Sequence, residues 1–126
     1  MEFFYIVDSP STEEKIRAKL RLKDLNQFSD QMFLLDQPLT KEVAQIGSVW
    51  GTFNLRRHEI KGGLRFALED CPNALCWTVT TGYPPAPECM VLHLTINRKE
   101  ITRDFHEEIE EFLENHAALL KDGFEK

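Results

Sequence analysis

The chain has 126 residues, 42% hydrophobic and 29% charged, with nine phenylalanines and a formal charge of −6. That length carries one core rather than two, and that composition excludes a disordered chain. The opening Met-Glu-Phe-Phe-Tyr-Ile-Val-Asp has no basic start and too short an apolar run for a secretory signal or a membrane span. Three cysteines imply no paired disulfide framework, so the expectation is one cytoplasmic domain over residues 1–126, with no membrane partner.

The charge is unevenly placed. Up to Lys99 there are twelve basic and twelve acidic residues, whereas from Glu100 onward there are three and nine, so the whole excess sits on the last segment. An acidic chain is a poor match for phosphate backbones, and no nucleic-acid partner is expected. The one basic patch is Lys15, Arg17, Lys19, Arg21 and Lys23, alternating with Ile16, Ala18, Leu20 and Leu22. As a strand this run would gather its cations on one face; as a helix it scatters them into a solvated surface.

In chain order, Glu2 to Val7 is an aromatic and β-branched run bounded by Asp8-Ser9-Pro10, which reads as a strand buried on both faces and paired centrally. Residues 12–26 follow as a helix, because strong helix formers dominate and Ser11 with Glu14 forms a capping box. Met32 to Leu35 reads as a short strand and Thr40 to Ile46 as a helical turn. Ser48 to Arg57 and Leu64 to Leu68 read as strands joined through Lys61-Gly62-Gly63, whose glycines supply the positive φ of a tight hairpin. Leu75 to Thr81 and Met90 to Asn97 complete an antiparallel meander. The last segment is a helix capped by Thr102, with Phe105, Ile109, Phe112, Leu113, His116, Leu119 and Leu120 on one face and glutamates on the other. Gly123 would end it, with Phe124 closing back on Leu119. The expected fold is α+β: a meander of about five strands, an N-terminal helix, and a long amphipathic C-terminal helix packed on one face.

Several groupings bear on chemistry. Cys71, Cys76, Cys89 and His93 have the ligand count of a zinc site, but the first pair is too widely spaced for one that wraps a metal, so small buried thiols are the better reading and no metal is expected. Strand alternation puts Cys76, Thr78 and Thr80 on the same face as Cys89, His93 and Thr95. If Thr80 pairs with Cys89, Cys76 lies opposite His93, and a thiol beside an imidazole is a candidate nucleophile and base; the simpler alternative is a half-buried sheet surface. Arg56 and His58 share a strand face and suit an anion, or simply end an exposed strand. Thr81-Gly82-Tyr83-Pro84-Pro85-Ala86-Pro87 is a proline-stiffened loop on which Tyr83 offers contact area, either to a partner or as a rigid connection. His106 and His116 are too far apart on their helix to share a metal.

No phosphate-cradling glycine loop, dinucleotide fingerprint, nucleophile elbow or zinc-protease helix is present, and no cofactor is expected. Two readings follow. One is a non-catalytic binding or accessory module that meets a protein partner, or its own copy in a homo-oligomer, through Tyr83, Thr78, Thr80, His93, Arg56 and His58. The other is a small enzyme using Cys76 and His93.

Overall fold

Seven strands make one antiparallel sheet in a computed structural model that describes residues 1–125. The strands are β1 (Glu2–Val7), β2 (Met32–Leu34), β3 (Val43–Ser48), β4 (Gly51–Ile60), β5 (Gly63–Glu69), β6 (Cys76–Thr81) and β7 (Met90–Thr95). From β2 to β7 they form an unbroken meander, and β1 returns to the far edge to pair with β7. The helices are α1 (Glu13–Lys19), α2 (Leu25–Phe28) and α3 (Arg103–Glu125), with a single 3-10 turn at Leu22–Asp24. Residues 8–31 therefore carry the chain from one sheet edge to the other across the helical face.

The α+β class, the antiparallel meander and the terminal helix agree with the sequence, whereas five strands fall short of seven. The short run at Met32 joins the sheet as β2, and the strand not anticipated at all is β3. Thr40 starts it as a turn residue rather than capping a helix, since its hydroxyl accepts from Glu42 N at 3.0 Å and Val43 N at 3.1 Å. Val43 to Ser48 then pairs with Gly51 to Arg56.

The expected helix over residues 12–26 is broken. Thr12, not Ser11, caps α1, accepting from Lys15 N at 3.1 Å. Ile16, Leu20, Leu22 and Leu25 are all buried. On a continuous helix Leu20 and Leu22 would point about 200° apart, so burying both requires the chain to leave the helix between them. Arg57 seals the break by donating to Leu20 O at 2.9 Å and Arg17 O at 2.8 Å, two of the carbonyls a helix end leaves unpaired.

The core lies between the sheet and α3. Trp77 of β6 stacks on Phe66 of β5 and meets Phe112 of α3 edge-on, with ring centroids 5.2 and 5.0 Å apart. Ile109, Phe112, Leu113, His116 and Leu120 supply the helix side, as their spacing implies. Thr102 caps α3 through Phe105 N at 3.1 Å. Gly123 does not stop the helix: α3 runs through it to Glu125, and Phe124 is buried against the core.

β1 departs furthest from expectation, being an edge strand. Phe3 and Val7 face the core side, while Phe4, Tyr5 and Ile6 remain 56%, 37% and 48% exposed. An apolar run implies burial on both faces only where a layer covers each, and here both α1 and α3 pack on the same side of the sheet.

Candidate functional site

The sheet face opposite the helices carries the residues singled out from sequence. Cross-strand pairing builds rows across it. One row runs Phe4, His93, Thr78, Arg65, His58; the next runs Glu2, Thr95, Cys76, Ala67, Arg56; a third runs Ile6, Val91, Thr80, Gly63, Ile60. His93, Thr78, His58, Cys76, Arg56 and Thr80 therefore share one face, on which no helix packs among the described residues.

Their pairings differ from the expected register. Thr80 lies opposite Val91 rather than Cys89, so Thr78 faces His93 and Cys76 faces Thr95. Thr81 opposite Met90 is the last rung, which leaves Cys89 in the β6–β7 loop outside the ladder, where its carbonyl accepts from Thr81 Oγ1 at 2.9 Å. Cys76 Sγ lies 3.2 Å from Thr95 Oγ1, and His93 Nε2 lies 3.1 Å from Glu2 Oε1. The thiol and the imidazole are thus diagonal neighbours, each occupied by a different partner. The three cysteines are free and half-buried, and no group of three metal-ligating side chains converges among the described residues.

Two further candidates have structural ties. Arg56 pairs with Glu69 at 3.1 Å across the open face. The Tyr83 ring lies against Gly62 and its hydroxyl donates to Lys61 O at 3.3 Å, which fastens the proline-rich loop to the neighbouring hairpin tip. Gly62 has φ +89°, as that turn requires.

The edge beside this face is open in a definite pattern. Met1 and Ile96 exchange both backbone hydrogen bonds, Met1 N to Ile96 O at 3.0 Å and Ile96 N to Met1 O at 3.1 Å. By antiparallel alternation Phe3, Tyr5 and Val7 bond β7, whereas Glu2, Phe4 and Ile6 turn their backbone N–H and C=O groups outward. The same three residues put their side chains on the open face. Phe4 stacks on His93 with centroids 4.3 Å apart and planes 4° from parallel. β1 has no lysine, no proline and no bulge to protect the edge, and its one charged side chain, Glu2, sits at the start of the strand and turns to His93. The far edge also presents apolar side chains, Phe33 and Leu35, but β2 spans only three residues.

Sequence reasoning passed over Phe4 and Ile6 because an apolar run reads as core. It also chose Arg56 over Arg57, since alternation alone does not say which face the helices take.

No family model matches the chain, and no curated protein and no solved structure matches it either.

Proposed function

We propose that the chain is a non-catalytic protein-binding module that recruits an extended strand onto β1, and that a second copy of the chain is the occupant. The observation that carries this reading is the unprotected edge: outward backbone groups at Glu2, Phe4 and Ile6 beside exposed Phe4, Tyr5 and Ile6. Strand addition supplies main-chain hydrogen bonds for affinity and side-chain contacts on alternate residues for specificity. A second copy fits because a strand paired antiparallel about a two-fold axis complements itself. With Phe4 opposite its own equivalent, Glu2 meets Ile6 and every outward group of the three residues finds a partner, while the two Phe4 rings meet on the open face beside His93.

The candidates His93, Thr78, Thr80, Arg56 and His58 would then border the joint rather than perform chemistry, with Tyr83 holding a hairpin tip nearby. Among the described residues no helix is long and apolar enough to cross a membrane, and the unpaired cysteines support a reducing, cytoplasmic setting. Nothing in the reading calls for nucleic acid or a cofactor.

Sedimentation across a concentration series tests it. The wild-type chain should dimerise, and Phe4→Lys with Ile6→Lys should remain monomeric with a melting temperature close to wild type, because lysines guard edges and both positions are exposed. A monomer at millimolar concentration, or a dimer indifferent to both lysines, would overturn the proposal. So would a single cysteine that reacts fast with maleimide in a pH-dependent way, since that behaviour belongs to the alternative of a Cys76 nucleophile with His93 as base.

A further inference from the structure

A second feature lies on the opposite side of the sheet, where the break after α1 leaves a cleft of about 700 Å³ between that segment, Pro38 to Lys41 and the end of β4. Five cations line it: Arg17, Arg21, Lys23, Lys41 and Arg57. Against them stand two carboxylates, Glu14 and Glu59. In a chain of charge −6, this is a local reversal of sign. The helix break produces it. Lys15 lies outside the cleft, and Lys19 turns away to Gly123 O at 2.8 Å, whereas Arg21 and Lys23, past the break, swing to the same side as Arg17.

The cations divide into anchored and free. Arg17 donates to Ile60 O at 2.7 Å and pairs with Glu13 at 3.0 Å, and Glu13 in turn accepts from Gly62 N at 2.7 Å, so α1 is tied to the β4–β5 hairpin. Arg57 is held by the carbonyls of Arg17 and Leu20, and its side chain is only 10% exposed. Its nearest carboxylate, on Glu59, is 3.9 Å away and itself well exposed. Burial lowers its pKa from the ordinary arginine value, Glu59 pulls it back up, and Arg21 and Arg17 lower it further by repulsion against a smaller upward pull from Glu42; an arginine remains charged regardless, so the cleft holds a nearly buried cation whose nearest carboxylate is distant and solvent-exposed. The side chains of Arg21, Lys23 and Lys41 make no hydrogen bond or ion pair among the described residues.

Ala18, Leu22 and Pro38 give the cleft an apolar part, and its volume falls in the range that small organic ligands occupy. We infer that this cleft binds a small organic phosphate. The free cations would hold the phosphate through charge-assisted hydrogen bonds, with the field of Arg57 behind them, and the apolar wall would take the organic body. The concave shape and the two flanking glutamates disfavour an extended polyanion. The site is independent of the β1 edge, being on the other side of the sheet.

Phenyl phosphate is a suitable probe, with inorganic phosphate and sulfate as comparators at matched ionic strength. Titration of the full chain, followed by amide resonances and calorimetry, should show saturable binding of phenyl phosphate that moves resonances of residues 17–23, 38–41 and 57. Affinity should exceed that for inorganic phosphate by about tenfold, because only the ester reaches the apolar wall. The combined variant Arg21→Gln, Lys23→Gln, Lys41→Gln should lose the binding with an unchanged melting temperature, since none of the three makes a structural bond. Absence of saturable binding, equal affinity for phenyl phosphate and inorganic phosphate, or full binding by the triple variant would each overturn the inference.

Discussion

His116 sits on the apolar face of α3, fully buried among Phe28, Trp77 and Phe112, with Nδ1 donating to Phe28 O at 2.6 Å. Burial pushes its pKa down to about 4, against a smaller upward pull from the Phe28 carbonyl. The imidazole is therefore neutral in the fold at neutral pH, whereas the unfolded chain binds a proton there near pH 6.5. The stability this group contributes is complete above about pH 6.5 and is lost as pH falls towards 4, at up to about 1.4 kcal/mol per pH unit. Denaturant titrations of wild type and His116→Phe across that window check it. At pH 7 the phenylalanine should cost about 1 to 3 kcal/mol by leaving Phe28 O unpaired, and the gap should close or reverse near pH 4.5. A constant gap would show that His116 is not a neutral core residue. At Gly63 the limit is steric: a Cβ there would run into Val79 O, a backbone atom that cannot move aside cheaply. Gly63→Ala should cost about 1 to 3 kcal/mol, the range for overpacking, read as a lowered denaturation midpoint. The sequence marked Gly62 and Gly63 together as turn glycines, but only Gly62 has a positive φ; Gly63 is glycine for close approach, a requirement set by a strand thirteen residues further on and invisible locally.

Among the elements, α3 was the easiest to read because its period, its Thr102 cap and its burial all point the same way. Replacing Phe112, which touches Trp50, Trp77 and His116 and is fully buried, by alanine should cost about 3 to 5 kcal/mol, against about 0.5 kcal/mol for exposed Glu111. Comparable small losses at both positions would mean that α3 is not docked. The segment from Thr12 to Phe28 was harder, because helix preference and apolar spacing disagree within it. Composition favours helix throughout, while the two-residue step from Leu20 to Leu22 cannot lie on one helical face. Tertiary burial decides, and Arg57 makes the outcome affordable by pairing the carbonyls at the break. Removing that guanidinium with Arg57→Met should therefore destabilise the chain by about 2 to 4 kcal/mol, within the range for stripping a buried charged donor from its acceptors. An effect as small as that of a surface arginine would show that α1 ends without it.

At the scale of the whole molecule, the two sheet faces were legible as sets, since alternation correctly separated Trp77, Val79, Leu92, Leu94 and Ile96 from Cys76, Thr78, Thr80 and His93. What alternation cannot supply is register, which the β6–β7 loop fixes, nor the rank of a strand in the sheet, which put β1 at an edge. Binding at that edge and at the basic cleft should respond to salt in opposite senses. A two-fold axis perpendicular to the sheet, between the two Phe4 residues, places two copies of α3 side by side on one face of the joined sheet, because α3 packs over β1, with the His106 ring 5.5 Å from Phe3. Each helix carries the negative charge of the chain, and Glu107 and Glu110 lie on the turns around His106, paired only with Arg103 and His106 at exposed positions. Like charges at such a distance repel in dilute salt and are screened within about 8 Å at physiological ionic strength. Dimerisation followed by sedimentation should therefore strengthen as sodium chloride rises, and Glu107→Gln with Glu110→Gln should flatten that dependence without changing the high-salt affinity. Phenyl phosphate binding should weaken over the same range, because there the salt screens attraction. Dimerisation that weakens with salt would place the contact elsewhere, where charges of opposite sign meet.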